Sequence, residues 1–327
     1  MLSLFRTNQF AFNLLLLLYA IGLRFSYFLY PVQPKVNNDG VLSIFFKDWL
    51  IENTIVEGIV VVLFLFVQAV LINTLAMKHR LFNENTLIPG LSYILLMSLL
   101  QDFFPLSSIL FGNFFLIIAL DQIMSTYKRP KSANHIFNAG FWIGIASLFY
   151  SSFILFFILV FVGIGLLRNF RWKEQLMLLC GFFVPFLFVS VWFFWNDSFR
   201  EFWQTYFAQQ FSFLNFQYEQ TNVFLIKLAF LVILFLLAFF NNYDFSKSNQ
   251  VRSYIQVIYL TLIVSGLTFL VQHNVTILHF LIIMVPLSLL LTARFLSFNK
   301  SLAELVHAFL LLTVLFFQYR GFEGLIG

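Results

Sequence analysis

Asp39 and Asp102 are the acidic residues best placed to do chemistry, because each lies in a turn beside an apolar segment that is short or carries a charge. A carboxylate in such a place can act as a general base or help to hold a divalent cation. A solvated carboxylate at a membrane surface would give the same pattern, so both interpretations stay open. The sequence also leaves open whether a metal is bound.

Three further residues could line the same polar region. Glu57 lies just inside an apolar segment, Asp197 follows another one, and His273 lies in a short polar turn. A histidine can bind a metal or carry a proton, but a polar residue in a turn needs no such role. We treat these three as candidates for lining a cavity.

Arg24 and Lys227 lie inside apolar segments, where an isolated charge is costly. Both are near the outer end of their segment in the orientation derived below. A cation at that depth can hold the phosphate of a lipid, or it can extend its side chain to the headgroups on its own. The two residues are therefore candidates for binding phosphate, and independent extension to the headgroups is the alternative.

The composition indicates that the chain lies in lipid, where each charged residue is unusual. The chain of 327 residues is 61% hydrophobic and 10% charged, with a mean hydropathy of +0.90. Soluble domains carry about a quarter charged residues, so lipid must surround most of this chain. The net charge of +5 comes from cations that flank apolar segments, which predicts a membrane topology and no nucleic-acid partner. The single cysteine, Cys180, excludes a disulfide framework within the chain.

Eleven apolar segments are long enough to cross a membrane or to pair as shorter helices within a bundle. They are 10–30, 54–76, 87–101, 107–124, 136–150, 152–167, 175–194, 223–240, 254–271, 275–293 and 302–317. The predicted fold class is therefore all-α, a polytopic transmembrane bundle of about eleven spans. Residues 1–327 should form a single integral membrane domain, because no long polar region interrupts the segments.

Basic residues determine the predicted orientation. With the N-terminus in the cytoplasm, thirteen of the nineteen lysines and arginines lie in cytoplasmic connections, four lie outside and two lie within spans. This bias predicts a cytoplasmic N-terminus and an external C-terminus. It also requires residues 136–167 to form two short spans with a turn at 150–152. A second turn is expected at 101–105, where Pro105 stops a helix.

Two predicted external loops are longer than a turn requires. The first loop, 31–53, contains a stretch at 41–50 that could form a helix at the membrane interface. The second loop, 195–222, repeats aromatic residues at nearly helical spacing, which predicts an aromatic layer over an outer cavity. Because the cytoplasmic connections are short, function is expected in the membrane or at its outer face.

These residues together resemble the GT-C glycosyltransferases, polytopic enzymes that move a sugar from a polyprenyl-phosphate carrier. The resemblance covers about the first 220 residues. It consists of a basic N-terminus, a first span with Arg24, an acidic turn at Asp39 and a short helical pair around Asp102. A helix of small residues at 139–146 follows a basic turn. The chain differs from many members in having Gly40 after the acidic residue, and in lacking a large external domain at its C-terminus.

The resemblance implies a GT-C-like arrangement of helices and a role for each candidate. Asp39 would be the catalytic base, and Asp102 would assist a metal or the acceptor. In such an enzyme Arg24 and Lys227, which are candidates for binding phosphate because of their depth in the spans, would hold the phosphate of a polyprenyl-phosphate carrier. Membrane lipid is the second expected partner, and a divalent cation is the cofactor that this chemistry would admit.

Other functions fit the same sequence. The chain is also similar to phenylalanine-rich membrane proteins of bacterial envelopes, which implies a bacterial inner membrane. In that case it would be a catalytically inactive relative of the enzymes. A separate alternative is a non-catalytic subunit that anchors a secretion or surface-assembly complex through the aromatic second external loop and has other envelope membrane proteins as partners. A transporter or lipid flippase is less favoured, because charge in mid-membrane is sparse and no paired broken helices are evident.

Overall fold

The computed structural model describes residues 5, 10–30, 40–43, 54–204, 206, 222–239, 248–271 and 276–319. Regular structure within these ranges is helical. The α-helices are α1 (Phe10–Leu29), α2 (Thr54–Lys78), α3 (Ile88–Met97), α4 (Ser108–Met124), α5 (Ala133–Phe149), α6 (Phe156–Leu167), α7 (Trp172–Trp195), α8 (Phe199–Trp203), α9 (Asn222–Phe239), α10 (Asn249–Val271), α11 (Phe280–Ser297) and α12 (Lys300–Tyr319). Short 3₁₀ helices lie at Gln101–Phe103, Ser151–Leu155 and Ile277–His279.

Each of the eleven apolar segments coincides with one of these helices, and the short α8 is additional. Within the described ranges, five helical stretches are long and apolar enough to cross a membrane: Ile55–Lys78, Trp172–Trp195, Asn249–Val271, Ile277–Ser297 and Lys300–Gln318. The all-α fold class is confirmed for the described residues, and these are the helices of an integral membrane protein. The number of spans and the side on which each terminus lies stay predictions.

Both predicted turns interrupt the helices where the sequence places them. Helix α3 ends at Met97, and α4 begins at Ser108 after the segment that contains Pro105. The side chain of Ser107 caps α4 by accepting a hydrogen bond from Leu110 N at 3.3 Å. Helix α5 ends at Phe149, and Tyr150 has extended backbone angles. The breaks at 101–105 and 150–152 are therefore confirmed.

Helix α5 packs closely against α7 because glycines allow their backbones to approach. A Cβ atom at Gly140 would overlap Leu178 O, and one at Gly144 would overlap Phe182 O. From the other side, a Cβ atom at Gly181 would overlap Phe137 O. The small-residue helix seen in the sequence is thus a surface on which α5 packs against α7.

Polar side chains gather at two ends of the bundle. Helix α2 connects them, since Glu57 and Lys78 are separated by about 30 Å of helix. We call the first the Asp102 end, which contains Arg24, Glu57, Asp102, Lys227 and Gln318. We call the second the Lys78 end, which contains Lys78, Asp121, Arg129, His135 and Tyr254. Between the ends, one continuous cluster of buried apolar residues joins the helices.

Candidate functional site

Arg24 lies at the Asp102 end, where it caps carbonyl groups that have no helical partner. One terminal nitrogen donates to Met97 O at 2.8 Å and to Phe103 O at 3.0 Å, and the other donates to Phe104 O at 3.0 Å. The last carbonyls of a helix carry partial negative charge and need donors. The guanidinium group supplies these donors to the end of α3 and to the 3₁₀ helix that follows it.

The surroundings of Arg24 bear on the role predicted for it. The residue is only 2% exposed, and its guanidinium carbon lies 5.0 Å from the centre of the Phe104 ring. Any phosphate would have to compete with the protein carbonyls for the same donors. The geometry explains how an arginine is tolerated in α1 without reaching the headgroups, and its phosphate role stays a prediction.

Glu57 is also buried and has protein partners on both carboxylate oxygens. Tyr27 OH donates to one oxygen at 2.9 Å, and Leu106 N donates to the other at 2.7 Å. These bonds join α1, α2 and the segment before α4. Glu57 thereby holds the turn after Asp102 in place, and Tyr27 is a member of the site that the sequence analysis did not identify.

Asp102 and Lys227 form an ion pair, with 2.5 Å between Lys227 Nζ and Asp102 Oδ2. The Lys227 side chain is 23% exposed and that of Asp102 is 18% exposed, so a ligand could reach both. The pair joins α9 to the 3₁₀ helix after α3. The structure thus brings together a residue predicted to assist the acceptor and one predicted to bind phosphate.

Gln318 is a further polar residue at the Asp102 end that sequence reasoning missed. Its Nε2 atom donates to Ser98 O at 2.9 Å, and its Oε1 atom accepts from Ser26 Oγ at 3.3 Å. Its backbone carbonyl accepts from Gln101 Nε2. An amide in the last turn of an apolar helix was the available signal, since it lies at the same predicted end as Arg24.

The first loop is anchored on the end of α5 at Gly40. Gly40 N donates to Phe149 O at 2.7 Å, and a Cβ atom at this position would overlap the carbonyl of Leu148. Ser43 N donates back to Gly40 O at 3.0 Å. Asp39, the residue before Gly40, lies outside the described residues, as do His273 and most of 31–53.

The described part of the second loop also packs at the end of α5, beside the first loop. Val41, Leu148, Phe202 and Tyr206 form a small buried apolar cluster apart from the main one. Residues from both predicted external loops therefore meet at the end of α5. The aromatic layer predicted for 195–222 is described only to residue 204 and at Tyr206, so it stays a prediction. Asp197 is exposed after α7, with a positive φ of 53°.

Two histidines within helical segments bond across the bundle. Thr276 N donates to His279 Nδ1 at 3.0 Å, and His279 Nε2 is hydrogen-bonded to the hydroxyl of Tyr150. His307 Nε2 lies 3.2 Å from Tyr19 OH. Both histidines therefore hydrogen-bond to residues of other helices or at their ends. In the described ranges, no three His, Cys, Asp or Glu side chains come together as a metal site.

Comparison with known proteins gives one finding. A family described as a family of unknown function, DUF6427, has a sequence model that matches residues 39–325. No curated protein and no solved structure matches the chain.

Proposed function

The chain belongs to this family of unknown function, DUF6427, and we propose that it is a membrane glycosyltransferase that takes a sugar from a polyprenyl-phosphate carrier. The proposal includes eleven spans in a GT-C-like arrangement within one domain, in a bacterial inner membrane. The N-terminus would be cytoplasmic, which places the Asp102 end outside.

The observation that carries the proposal is the contact between Asp102 and Lys227. An ammonium group has three donors, so Lys227 could contact a carrier phosphate while it still touches Asp102. The carboxylate would then lie beside the sugar that the phosphate carries. A buried structural ion pair would not need the partial exposure that both side chains have.

The proposed reaction assigns a task to each group. Asp39 would take the proton of an acceptor hydroxyl while that oxygen forms a bond to the anomeric carbon of the sugar. The bond from that carbon to the phosphate oxygen breaks, and its electron pair leaves with the carrier phosphate. Lys227 would stabilise the charge on that phosphate, and Asp102 would orient the acceptor or a divalent cation.

An apolar groove beside α1 offers a place for the hydrocarbon tail of the carrier. It has a volume of about 350 Å³, and its lining includes Leu15, Leu18, Gly22, Leu23 and Leu311. Leu23 directly precedes Arg24 in the chain, so the groove begins at the depth of the polar cluster. A carrier whose tail lay there would have its phosphate at the Asp102 end.

The experiment that tests this function uses Asp39→Asn, with Glu84→Gln as the control, since Glu84 is exposed in the connection between α2 and α3, away from the Asp102 end. Each variant is purified and reconstituted into lipid vesicles. The vesicles are then incubated with a mixture of polyprenyl-phosphate sugars as donors and an envelope extract as acceptor. Loss of a general base lowers the rate by about a hundredfold to ten-thousandfold. Asp39→Asn should therefore stop transfer without loss of protein, while Glu84→Gln keeps it. Full transfer by Asp39→Asn would contradict the assignment.

A non-catalytic subunit is the second candidate, and the satisfied bonds of Arg24 and Glu57 favour it. The guanidinium group of Arg24 and the carboxylate of Glu57 are both hydrogen-bonded to protein atoms, as expected of residues that only stabilise the bundle. Helix α7 also exposes large aromatic residues, with Trp172 at 75% and Trp195 at 84%. Such a subunit would anchor an envelope complex through this surface. Two results together would favour this candidate. The wild type would transfer no sugar, and cells carrying Asp39→Asn would still assemble the complex normally.

A further inference from the structure

We propose that the Lys78 end holds a binding site for a phosphate group, separate from the Asp102 end. The site is a polar cavity of about 110 Å³ between the ends of α2 and α4 and the beginning of α10. Its lining includes Lys78, His79, Ser125, Tyr127, Arg129 and Tyr254. None of the described residues that line it is acidic.

Asp121 lies behind the cavity and organises two of the lining residues. Lys78 Nζ lies 2.8 Å and 2.6 Å from its two carboxylate oxygens, and His79 Nε2 lies 2.9 Å from Oδ1. A carboxylate only accepts, so His79 Nε2 carries a proton and donates it. Asp121 thus balances the charge of Lys78 and fixes both side chains at the cavity wall.

The charge of Arg129 is left without an acidic partner in its own network. Arg129 donates to His135 Nε2 at 3.2 Å, because a guanidinium group cannot accept. His135 Nδ1 must then carry the proton, which it donates to Gln122 Oε1 at 2.8 Å. Partial burial, and then the charges of Arg129 and Lys78, lower the pKa of His135, which precedes the apolar segment 136–150. The histidine is therefore held neutral.

Ser125 is the observation that points to a ligand. It is 3% exposed and lines the cavity, yet its Oγ atom has no hydrogen-bond partner among the described residues. Buried hydroxyl groups normally have partners, because leaving one unpaired is costly. Gln250 Nε2 donates to Tyr254 OH at 2.8 Å, which leaves the tyrosine proton to donate as well.

These groups suit a phosphate better than any other common ligand. The hydroxyl groups of Ser125 and Tyr254 can both donate to a ligand in the cavity. Lys78 and Arg129 add two positive charges, and Asp121 balances one of them. A phosphate has several acceptor oxygens and negative charge, and charge-assisted bonds to it are strong. The Lys78 side chain is 43% exposed, so the cavity opens to the surface. The phosphate could belong to a lipid headgroup at the membrane surface or to a soluble compound.

The test uses the purified full-length protein in four forms. The wild type is compared with Arg129→Gln, Ser125→Ala and Arg252→Gln. Arg252 is an exposed residue on α10 outside the cavity lining, so its substitution removes the same charge at the same end of the protein. In the first arm the protein is in a detergent whose headgroup contains no phosphate. Its unfolding temperature is measured at increasing concentrations of inorganic phosphate, with chloride added to keep the ionic strength constant. In a second arm the proteins are placed in phosphatidylcholine nanodiscs with and without phosphatidic acid.

A ligand that binds only the folded protein raises its unfolding temperature. Phosphate should stabilise the wild type and Arg252→Gln, and its apparent affinity should fall about tenfold or more in Arg129→Gln. Ser125→Ala is a small change that should fold normally and weaken binding about threefold to tenfold. The effect in the detergent arm identifies a soluble phosphate, and an effect in phosphatidic acid nanodiscs alone identifies a lipid headgroup. Equal stabilisation of all four forms in both arms would show a general salt effect and overturn the proposal.

Discussion

Lys227 Nζ lies 2.5 Å from Asp102 Oδ2, although 125 positions separate the two residues in the chain. The contact joins α9 to the turn between α3 and α4, so it ties a late helix to the first half of the chain. Removing either partner leaves a partly buried charge without its counterion.

We therefore predict that Asp102→Asn and Lys227→Gln each lower the free energy of unfolding by about 1–2 kcal/mol, between the values for exposed and buried pairs. The double variant should be more stable than the sum of the single changes predicts. Chemical denaturation in detergent gives the coupling between the two sites. Strict additivity would mean that the pair contributes nothing. If the proposed function holds, all three variants also lose transfer activity.

Arg24→Gln should destabilise the protein by about 3 kcal/mol or more, because buried carbonyls at the end of α3 lose their donors. Loss of thermal stability in detergent checks this. Arg24→Lys is the informative comparison, since it keeps the charge but not the forked geometry. Normal stability of Arg24→Gln, with activity restored by excess carrier, would instead support a role in binding phosphate.

Gly40→Ala should displace the first loop, because its Cβ atom would overlap the Leu148 carbonyl. The bond from Gly40 N to Phe149 O would be lost, and hydrogen exchange at 40–43 should become faster. Gly165→Ala is the matched control, since open space surrounds that position. If Asp39 is the base, transfer should fall about a hundredfold, as expected when a catalytic group moves by about 1 Å. Unchanged exchange at 40–43 would show that the loop tolerates the methyl group.

Gly22→Leu should fill the groove between α1 and α12 without disturbing the fold, because a Cβ atom at this position would meet nothing within 4 Å. Replacing a glycine inside a helix stabilises it by about 0.5–1 kcal/mol, so the unfolding temperature should rise slightly. Binding of a fluorescent polyprenyl phosphate should weaken. Gly266→Leu, which also has open space around it but lies on α10, is the control. Equal binding by both variants would place the tail of the carrier elsewhere.

Residue types along the chain were enough to predict where the helices lie and where they stop. Apolar runs must form helices in lipid, because no water is present to satisfy their backbone groups. The breaks near Pro105 and Tyr150 followed from residue types and from the distribution of basic residues.

The partner of each polar group, in contrast, depends on how the helices pack. The sequence indicates the depth of Arg24 along α1, but it does not show that the open carbonyls of α3 lie beside it. The contact of Asp102 with Lys227 likewise depends on how α9 packs, which apolar faces of similar composition do not specify. Ser125 resembles an ordinary residue at the end of a helix, and it becomes notable only when α2 and α10 enclose its hydroxyl in a basic cavity. In lipid the hydrophobic effect does not choose between helix faces, so close packing and a few polar bonds determine the arrangement.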